Sequence, residues 1–278
     1  MSLKTWFITG CSSGFRRAIA EGALAAGHRV IATARDIRSI ADLERAGSCH
    51  VMTLDVTDSS EIPGVIREAS QVWGGIDVLV NNAGYGLIGA VEECSDEQIR
   101  RNMETNFFGH LNVIRAALPI LREQKSGHII NISAAAAISN YAGFGIYGAA
   151  KAALELMSES LRIEVAPLGI RVTLVQPGPF RTEFVSRSLD RAESHIADYD
   201  RTSGKFLRFI ESMNGKQPGD PVRAAEAITA AVESDSPPQR LVLGRYANDK
   251  ARKRLIDVEK ERAAWEHIGL PTEFSPTL

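Results

Sequence analysis

Thr5-Trp6-Phe7-Ile8-Thr9-Gly10-Cys11-Ser12-Ser13-Gly14-Phe15 lies at the start of the chain. A short run centred on Trp6-Phe7-Ile8 breaks into a glycine turn, and a helix-length segment follows at once. The run is continuously apolar rather than alternating, which is the pattern of a strand buried on both faces of a sheet. Glycines at 10 and 14 let backbone amides approach a phosphate group closely, and the helix that starts there turns the positive end of its dipole toward the same group. Strand, glycine turn and helix in that order point to an α/β domain that holds a pyrophosphate at its first turn.

The same alternation continues along the chain. Apolar strand candidates fall at residues 5–9, 29–34, 50–54, 76–81, 127–132, 170–175 and 240–243. Helical stretches are expected at 15–26, 60–73, 96–122, 147–165 and 221–233. Strands alternating with helices from end to end imply a doubly wound parallel sheet, with right-handed crossovers and helices on both faces. No Pro/Gly/Ser linker and no internal repeat divides the chain, so residues 1–246 are expected to form a single domain. Two segments break the rhythm. Residues 184–218 are polar and charged and follow the sixth strand, where α/β proteins place a substrate lid, although a mobile surface excursion has the same composition. Residues 247–278 form a charged tail, helical over 248–267, which is expected to pack on the same domain or to serve a dimer.

Composition removes several classes of function. The 278 residues are 44% hydrophobic and 24% charged with a net charge of −2, so no strong field draws the chain to nucleic acid. No apolar run approaches the roughly 18 residues of a membrane helix. Trp6-Phe7-Ile8 is too short for a signal-peptide core, so a cytoplasmic protein is expected. Cys11, Cys49 and Cys94 show neither metal-ligand spacing nor a disulfide framework.

The second strand ends Ala32-Thr33-Ala34-Arg35. An acidic residue at this place binds the ribose hydroxyls of NAD, whereas the planar fork of Arg35 suits a 2′-phosphate and favours NADP. Asp36 follows and would partly neutralise that arginine. In Leu54-Asp55-Val56-Thr57-Asp58, Asp55 is read as the adenine contact and Asp58 as a helix cap. Further on, Tyr147-Gly148-Ala149-Ala150-Lys151 begins a helix marked by Leu154, Met157, Leu161 and Val165. Tyr147 and Lys151 are four apart and share a face. An ammonium beside a phenol favours the phenolate, which gives a proton donor and acceptor usable near neutral pH. Alone, the pair is equally a surface Tyr and a surface Lys.

Thr9-Gly10-x-x-x-Gly14, Asn81-Asn82-Ala83-Gly84, Thr105-Asn106, Tyr147-x-x-x-Lys151 and Pro177-Gly178, in this order and spacing, make residues 5 to 245 resemble the short-chain dehydrogenase/reductase family. The second strand and the long tail are similar to its NADP-preferring branch, with 17β-hydroxysteroid and retinol dehydrogenase-like members. The resemblance implies a single Rossmann domain with a seven-stranded parallel sheet, and hydride transfer between nicotinamide and a carbonyl or secondary alcohol. It implies that Tyr147 is the general acid in reduction and the base in oxidation, that Lys151 holds the nicotinamide ribose, and that Asn106 orders a water in a proton relay. Gly10, Ser12, Ser13, Gly14 and Phe15 would surround the pyrophosphate, with Arg35, Asp55 and Val56 at the adenosine end. Asn81, Ala83 and Gly84 would line the ribose, and Pro177, Gly178 and Thr182 would border the nicotinamide. Self-association as a homodimer or homotetramer, through 96–122 and 147–165, is implied as well.

The sequence departs from the family pattern twice. Arg16 stands where a third glycine is usual, and its side chain must swing to solvent, lie against a phosphate or occupy cofactor space. Counting back thirteen residues from Tyr147, the family's serine position holds Ala134, with Ser133 one residue early. Neighbouring strand residues face opposite ways, so Ser133 serves as a substitute only through a bulge or a longer loop. The two departures leave an alternative, a non-catalytic or impaired nucleotide-binding protein. Phe144, Phe180 and Phe184 are either an apolar substrate mouth or core aromatics.

Overall fold

The structure is a computed structural model and describes residues 2–274. In chain order the strands are β1 (Thr5–Ile8), β2 (Arg29–Ala34), β3 (Cys49–Thr53), β4 (Val78–Asn81), β5 (Gly86–Ile88), β6 (Gly127–Ile132), β7 (Ile170–Pro177), β8 (Leu189–Arg191) and β9 (Arg240–Leu243). The α-helices are α1 (Gly14–Ala25), α2 (Ile62–Val72), α3 (Asp96–Met103), α4 (Gly109–Gln124), α5 (Ala135–Ile138), α6 (Gly145–Val165), α7 (Phe184–Arg187), α8 (Lys205–Ser212), α9 (Pro221–Glu233) and α10 (Arg245–Gly269). Seven strands form one parallel sheet in the order β3-β2-β1-β4-β6-β7-β9, the expected doubly wound Rossmann architecture.

The apolar runs explain the layering. In β1, Trp6 and Ile8 enter the core shared with α1 and α9, while Phe7 enters the core shared with α2, α4 and α6. All three are fully buried. Each such side chain contributes about 1.5–3 kcal/mol by leaving water. The chain winds outward from β1 to β3, then returns to place β4 on the other side of β1. That reversal opens a crevice at the carboxyl ends of β1 and β4. Thr9 pins its floor: its Oγ1 accepts from the Asn82 and Ala83 amides at 2.9 and 3.1 Å.

Three expected segments gain detail. The helix expected over 96–122 is α3 and α4 joined through a π-helical turn, Glu104–Phe108. The segment 184–218, read as a lid with a mobile excursion as the alternative, carries regular structure: β8 pairs in parallel with β5, and α7 and α8 flank it. The tail packs on the domain only through its first turns. Ala247 in the first turn of α10 is buried, but every residue from Arg252 to Phe274 is exposed. Leu255, Ile256, Val258, Trp265 and Ile268 are scattered among charges and find no partner surface on the described residues. Among the described residues no helix is long and apolar enough to cross a membrane, and no group of three His, Cys, Asp or Glu side chains is placed to hold a metal.

Candidate active site

Tyr147 and Lys151 lie in the first two turns of α6, four residues apart, and both are buried. Lys151 Nζ donates to the Ile132 carbonyl at the end of β6 at 2.9 Å. The Tyr147 ring meets Phe144 edge-on, with centroids 5.2 Å apart, and Phe184 at 6.1 Å. Burial raises the Tyr147 phenol above its ordinary range, against a smaller opposing pull from Arg16. Burial also draws Lys151 down to about 7, with Arg16 adding to it and Glu155 opposing. The pair therefore differs from the simple expectation of an ammonium lowering a phenol. Desolvation dominates both groups and keeps Tyr147 a proton donor in the free chain.

Asn106 sits in the π-helical turn, which rotates it inward. Its Nδ2 donates to the carbonyls of Tyr85 and Asn102, at 2.9 and 3.1 Å. Its Oδ1 is buried and has no hydrogen-bond partner among the described residues. A Cβ placed on Gly84 would fall 2.5 Å from that oxygen and 3.6 Å from Lys151 Nζ, so Asn106, Gly84 and Lys151 converge on one point. His110, one turn further along, is held neutral at about 3 by burial. Its Nε2 lies 2.6 Å from the Ala83 carbonyl, which only accepts, so this nitrogen carries the proton.

Two expected site residues give their side-chain hydrogen bonds to neighbouring elements. Asn81 is completely buried and donates from Nδ2 to Asn131 Oδ1 at 2.9 Å, so it ties β4 to β6 rather than lining a ribose site. Its neighbour Asn82 borders the cavity instead. The Ser133 hydroxyl donates to Glu155 Oε1, and Gln176 Nε2 donates to both oxygens of the same carboxylate. Ser133 borders the apolar cavity, but its hydroxyl is committed to this buried network. The strand alternation persists through this point, and Ala134 is the residue left beside Tyr147 in the cavity wall and in its apolar cluster.

Two cavities meet at this end of the sheet. One, of about 360 Å³, is bordered by Tyr147, Lys151, Asn106, Pro177, Gly178 and Thr182, with Phe144, Phe180 and Phe184 among its aromatic walls. Phe15 reaches it too and packs edge-on against Phe180. The other, of about 520 Å³, runs past Gly10, Ser12, Arg35, Asp55, Val56 and Ala83. Arg16, Gly84 and Tyr85 border both. Gly10 and Gly14 hold φ of 72° and 62°, conformations that side chains rarely adopt. Ser13 stands at the N-cap of α1 and Gly14 lies under Thr182, so these two support the turn without bordering either cavity. Arg35 is exposed and has no carboxylate partner among the described residues, because Asp36 pairs with Arg38 instead. Asp55 accepts from the Thr57 amide and hydroxyl at 2.9 and 2.8 Å. Asp58 accepts from the Ser60 and Glu61 amides just before α2, a cap on the approach to the helix.

The sequence reading missed Asn82, Tyr85, His110 and Tyr246. Asn82 lies inside the Asn81-Asn82-Ala83-Gly84 motif and Tyr85 follows it directly, so both were within its reach. His110 and Tyr246 carry no local signal, because only the tertiary fold sets His110 behind the Ala83 carbonyl and Tyr246 in the cavity wall.

A dinucleotide fits this arrangement. The glycine turn, the unpaired Arg35 and the orphaned Asn106 oxygen lie along one continuous path. Fold and site together define an oxidoreductase of the Rossmann class. Residues 4–193 match the family model of short chain dehydrogenases, and the chain belongs to the short-chain dehydrogenase/reductase family. The crystal structure of a short-chain dehydrogenase from Streptomyces avermitilis superposes with a TM-score of 0.92 at 42% identity, covering 98% of this chain and 100% of that one. The 3-ketodihydrosphingosine reductase of Bacteroides thetaiotaomicron is 36% identical over 85% of this chain and 86% of its own length. Human retinol dehydrogenase 8 is 34% identical over 85% of this chain and 80% of its own length.

Proposed function

We propose that the chain is an NADP(H)-dependent oxidoreductase acting on the carbonyl or secondary alcohol of a lipophilic small molecule. One observation carries this reading: a buried phenol, Tyr147, sits beside Lys151 in the wall of an apolar cavity that opens into a groove ending at Arg35. The bound nicotinamide supplies or accepts the hydride. Tyr147 donates its proton to the substrate oxygen in reduction and takes it back in oxidation. Lys151, poised near neutrality, recharges Tyr147 from the side where Asn106 Oδ1 is available to a water. Arg35 holds the 2′-phosphate, with Asp55 and Val56 beside the adenine. Phe144, Phe184, Phe206 and Met213 exclude water and favour an apolar body. The names of two relatives, for retinol and for 3-ketodihydrosphingosine, support that class. Homo-oligomerisation is part of the reading. Leu156 and Ile163 are exposed seven residues apart on one face of α6, and Phe108 is exposed just before α4.

The test is a titration with NADPH and NADH, followed by turnover on a panel of apolar ketones. NADPH is expected to bind more tightly, and Tyr147→Phe to lower turnover by about 10²–10⁴-fold with NADPH affinity retained. Full activity in the phenylalanine variant would sink the mechanism. Ala134 favours a second reading, a slow or impaired enzyme, since the substrate oxygen lacks the family's serine donor. Removing one such donor costs on the order of 10²–10³ in rate. Ala134→Ser is accordingly expected to raise turnover toward that range, and no gain would mean the site has another donor.

A further inference from the structure

Three successive residues at the head of α1 touch the segment that follows β7. A Cβ on Gly14 would lie 3.2 Å from Thr182 Cβ. Phe15 packs edge-on against Phe180 with centroids 5.2 Å apart. Arg16 Nη2 donates to Ser188 Oγ at 3.0 Å. Ser188 joins α7 to β8, so this hydrogen bond fastens the lid to the glycine turn.

Among the described residues Arg16 is placed unlike any other cation. It borders both cavities, so a ligand reaching from Arg35 to Tyr147 must pass its guanidinium. Its stem lies over Gly10, where a Cβ would sit 3.4 Å from Arg16 Cδ. Among the described residues no carboxylate comes within salt-bridge distance of it, although Arg17, the next residue, has two. Its charge is partly desolvated and acts on both Tyr147 and Lys151. A half-buried guanidinium whose only side-chain partner is a neutral hydroxyl gains by exchanging it for an oxyanion, because charge-assisted, bidentate pairs are the stronger bonds.

We propose that Arg16 is a diphosphate-binding residue, held on the lid by Ser188 in the free protein and transferred to the cofactor when it binds. The proposal rests on the dinucleotide reading of the groove. In this chain an arginine clamp takes over what a glycine elsewhere achieves by close backbone approach, and lid position becomes coupled to cofactor occupancy. Binding draws the guanidinium from Ser188 and releases the 184–218 segment from the glycine turn.

The experiment compares the full chain with Arg16→Gly, Arg16→Gln and Ser188→Ala. Each is titrated with NADPH and with adenosine 2′-monophosphate, which reaches Arg35 but has no diphosphate, and each is subjected to limited proteolysis. Losing a charge-assisted hydrogen bond corresponds to roughly 10- to 100-fold in affinity. Arg16→Gly and Arg16→Gln should weaken NADPH by that factor and leave adenosine 2′-monophosphate unchanged. Arg16→Gln serves as the second variant because it keeps a donor for Ser188. Ser188→Ala should bind NADPH at least as tightly as the parent and be cut faster within 184–218 when no cofactor is present. NADPH affinity equal or higher in Arg16→Gly would overturn the proposal, since Arg16 would then only obstruct. So would equal loss of both ligands, which would mark general damage to the groove. Ser188→Ala weakening NADPH as much as Arg16→Gly would overturn the transfer from Ser188. If the parent and all variants bind neither ligand, the dinucleotide reading itself fails.

Discussion

Lys151 links the chemistry of the site to the stability of the fold. Burial brings its ammonium from the ordinary 10.5 to about 7. The sign of the linkage follows directly. Between about 7 and 10.5 the unfolded chain holds a proton at this site that the folded chain has released, so stability rises with pH across that window. Below about 7 the ammonium is charged in both states and the full cost of burying it is present. Lys151→Met removes the site from the balance. Urea unfolding at pH 7 and pH 9 is expected to show the parent gaining stability relative to the variant by up to about 1.4 kcal/mol per pH unit. Parallel pH dependence of the two proteins would mean that Lys151 keeps its charge when folded, through contacts beyond the Ile132 carbonyl. The same poise serves the proposed reaction. In that proposal an amine titrating near neutrality passes protons between a water held at Asn106 Oδ1 and Tyr147, whereas Tyr147 itself stays protonated until a ligand changes its surroundings.

At the scale of elements, legibility in the sequence followed the physical origin of each feature. The strands of the main sheet were legible because burial on both faces demands continuous apolar runs, and β2, β6 and β9 occupy the residues that pattern marks. The Tyr147–Lys151 pair was legible because helical spacing fixes which side chains share a face. The π-helical turn at Glu104–Phe108 was not. One extra residue in a helix leaves the apolar periodicity of 96–122 nearly intact, yet it is what turns Asn106 toward Gly84 and Lys151. The β5–β8 ladder was hidden for another reason. Each strand is three residues long, and the two are about a hundred residues apart in sequence, so neither has a pattern of its own. Ser133 and Asn81 show the limit of motif matching. Asn81 sits in a motif and Ser133 one residue before the family's serine position, but the extended chain leaving β6 and the pairing of β4 with β6 decide that one hydroxyl goes to Glu155 and one amide to Asn131.

For the whole molecule, α10 divides into two parts with different work. Its first turns belong to the catalytic end. Tyr246 borders the apolar cavity, and Lys250 Nζ stands 3.3 Å from the centroid of the Tyr141 ring, its ammonium lowered to about 8 by burial. Tyr141 in turn stacks on Phe206 of α8, with ring centroids 4.8 Å apart, so the start of the tail braces the cavity wall and the lid together. From Arg252 to Phe274 every residue of the tail is exposed. Two truncations separate these parts. A chain ending at residue 251 is expected to keep the parent's melting temperature and its KM for an apolar ketone, because nothing packed is removed. A chain ending at residue 245 loses the Tyr246 wall and the Lys250–Tyr141 contact, worth about 0.5–2 kcal/mol, and is expected to melt lower and to show a raised KM with NADPH affinity unchanged. Mass in solution, measured on the same two proteins, gives the role of the exposed Leu255, Val258, Trp265 and Ile268. If the parent forms the proposed homo-oligomer and the chain ending at 251 keeps it, the proposed association through α4 and α6 is supported. If that truncation dissociates the oligomer, the projecting helix holds the copies together. A drop in stability on ending the chain at 251 would overturn the division, because it would show that the distal helix packs against its own domain.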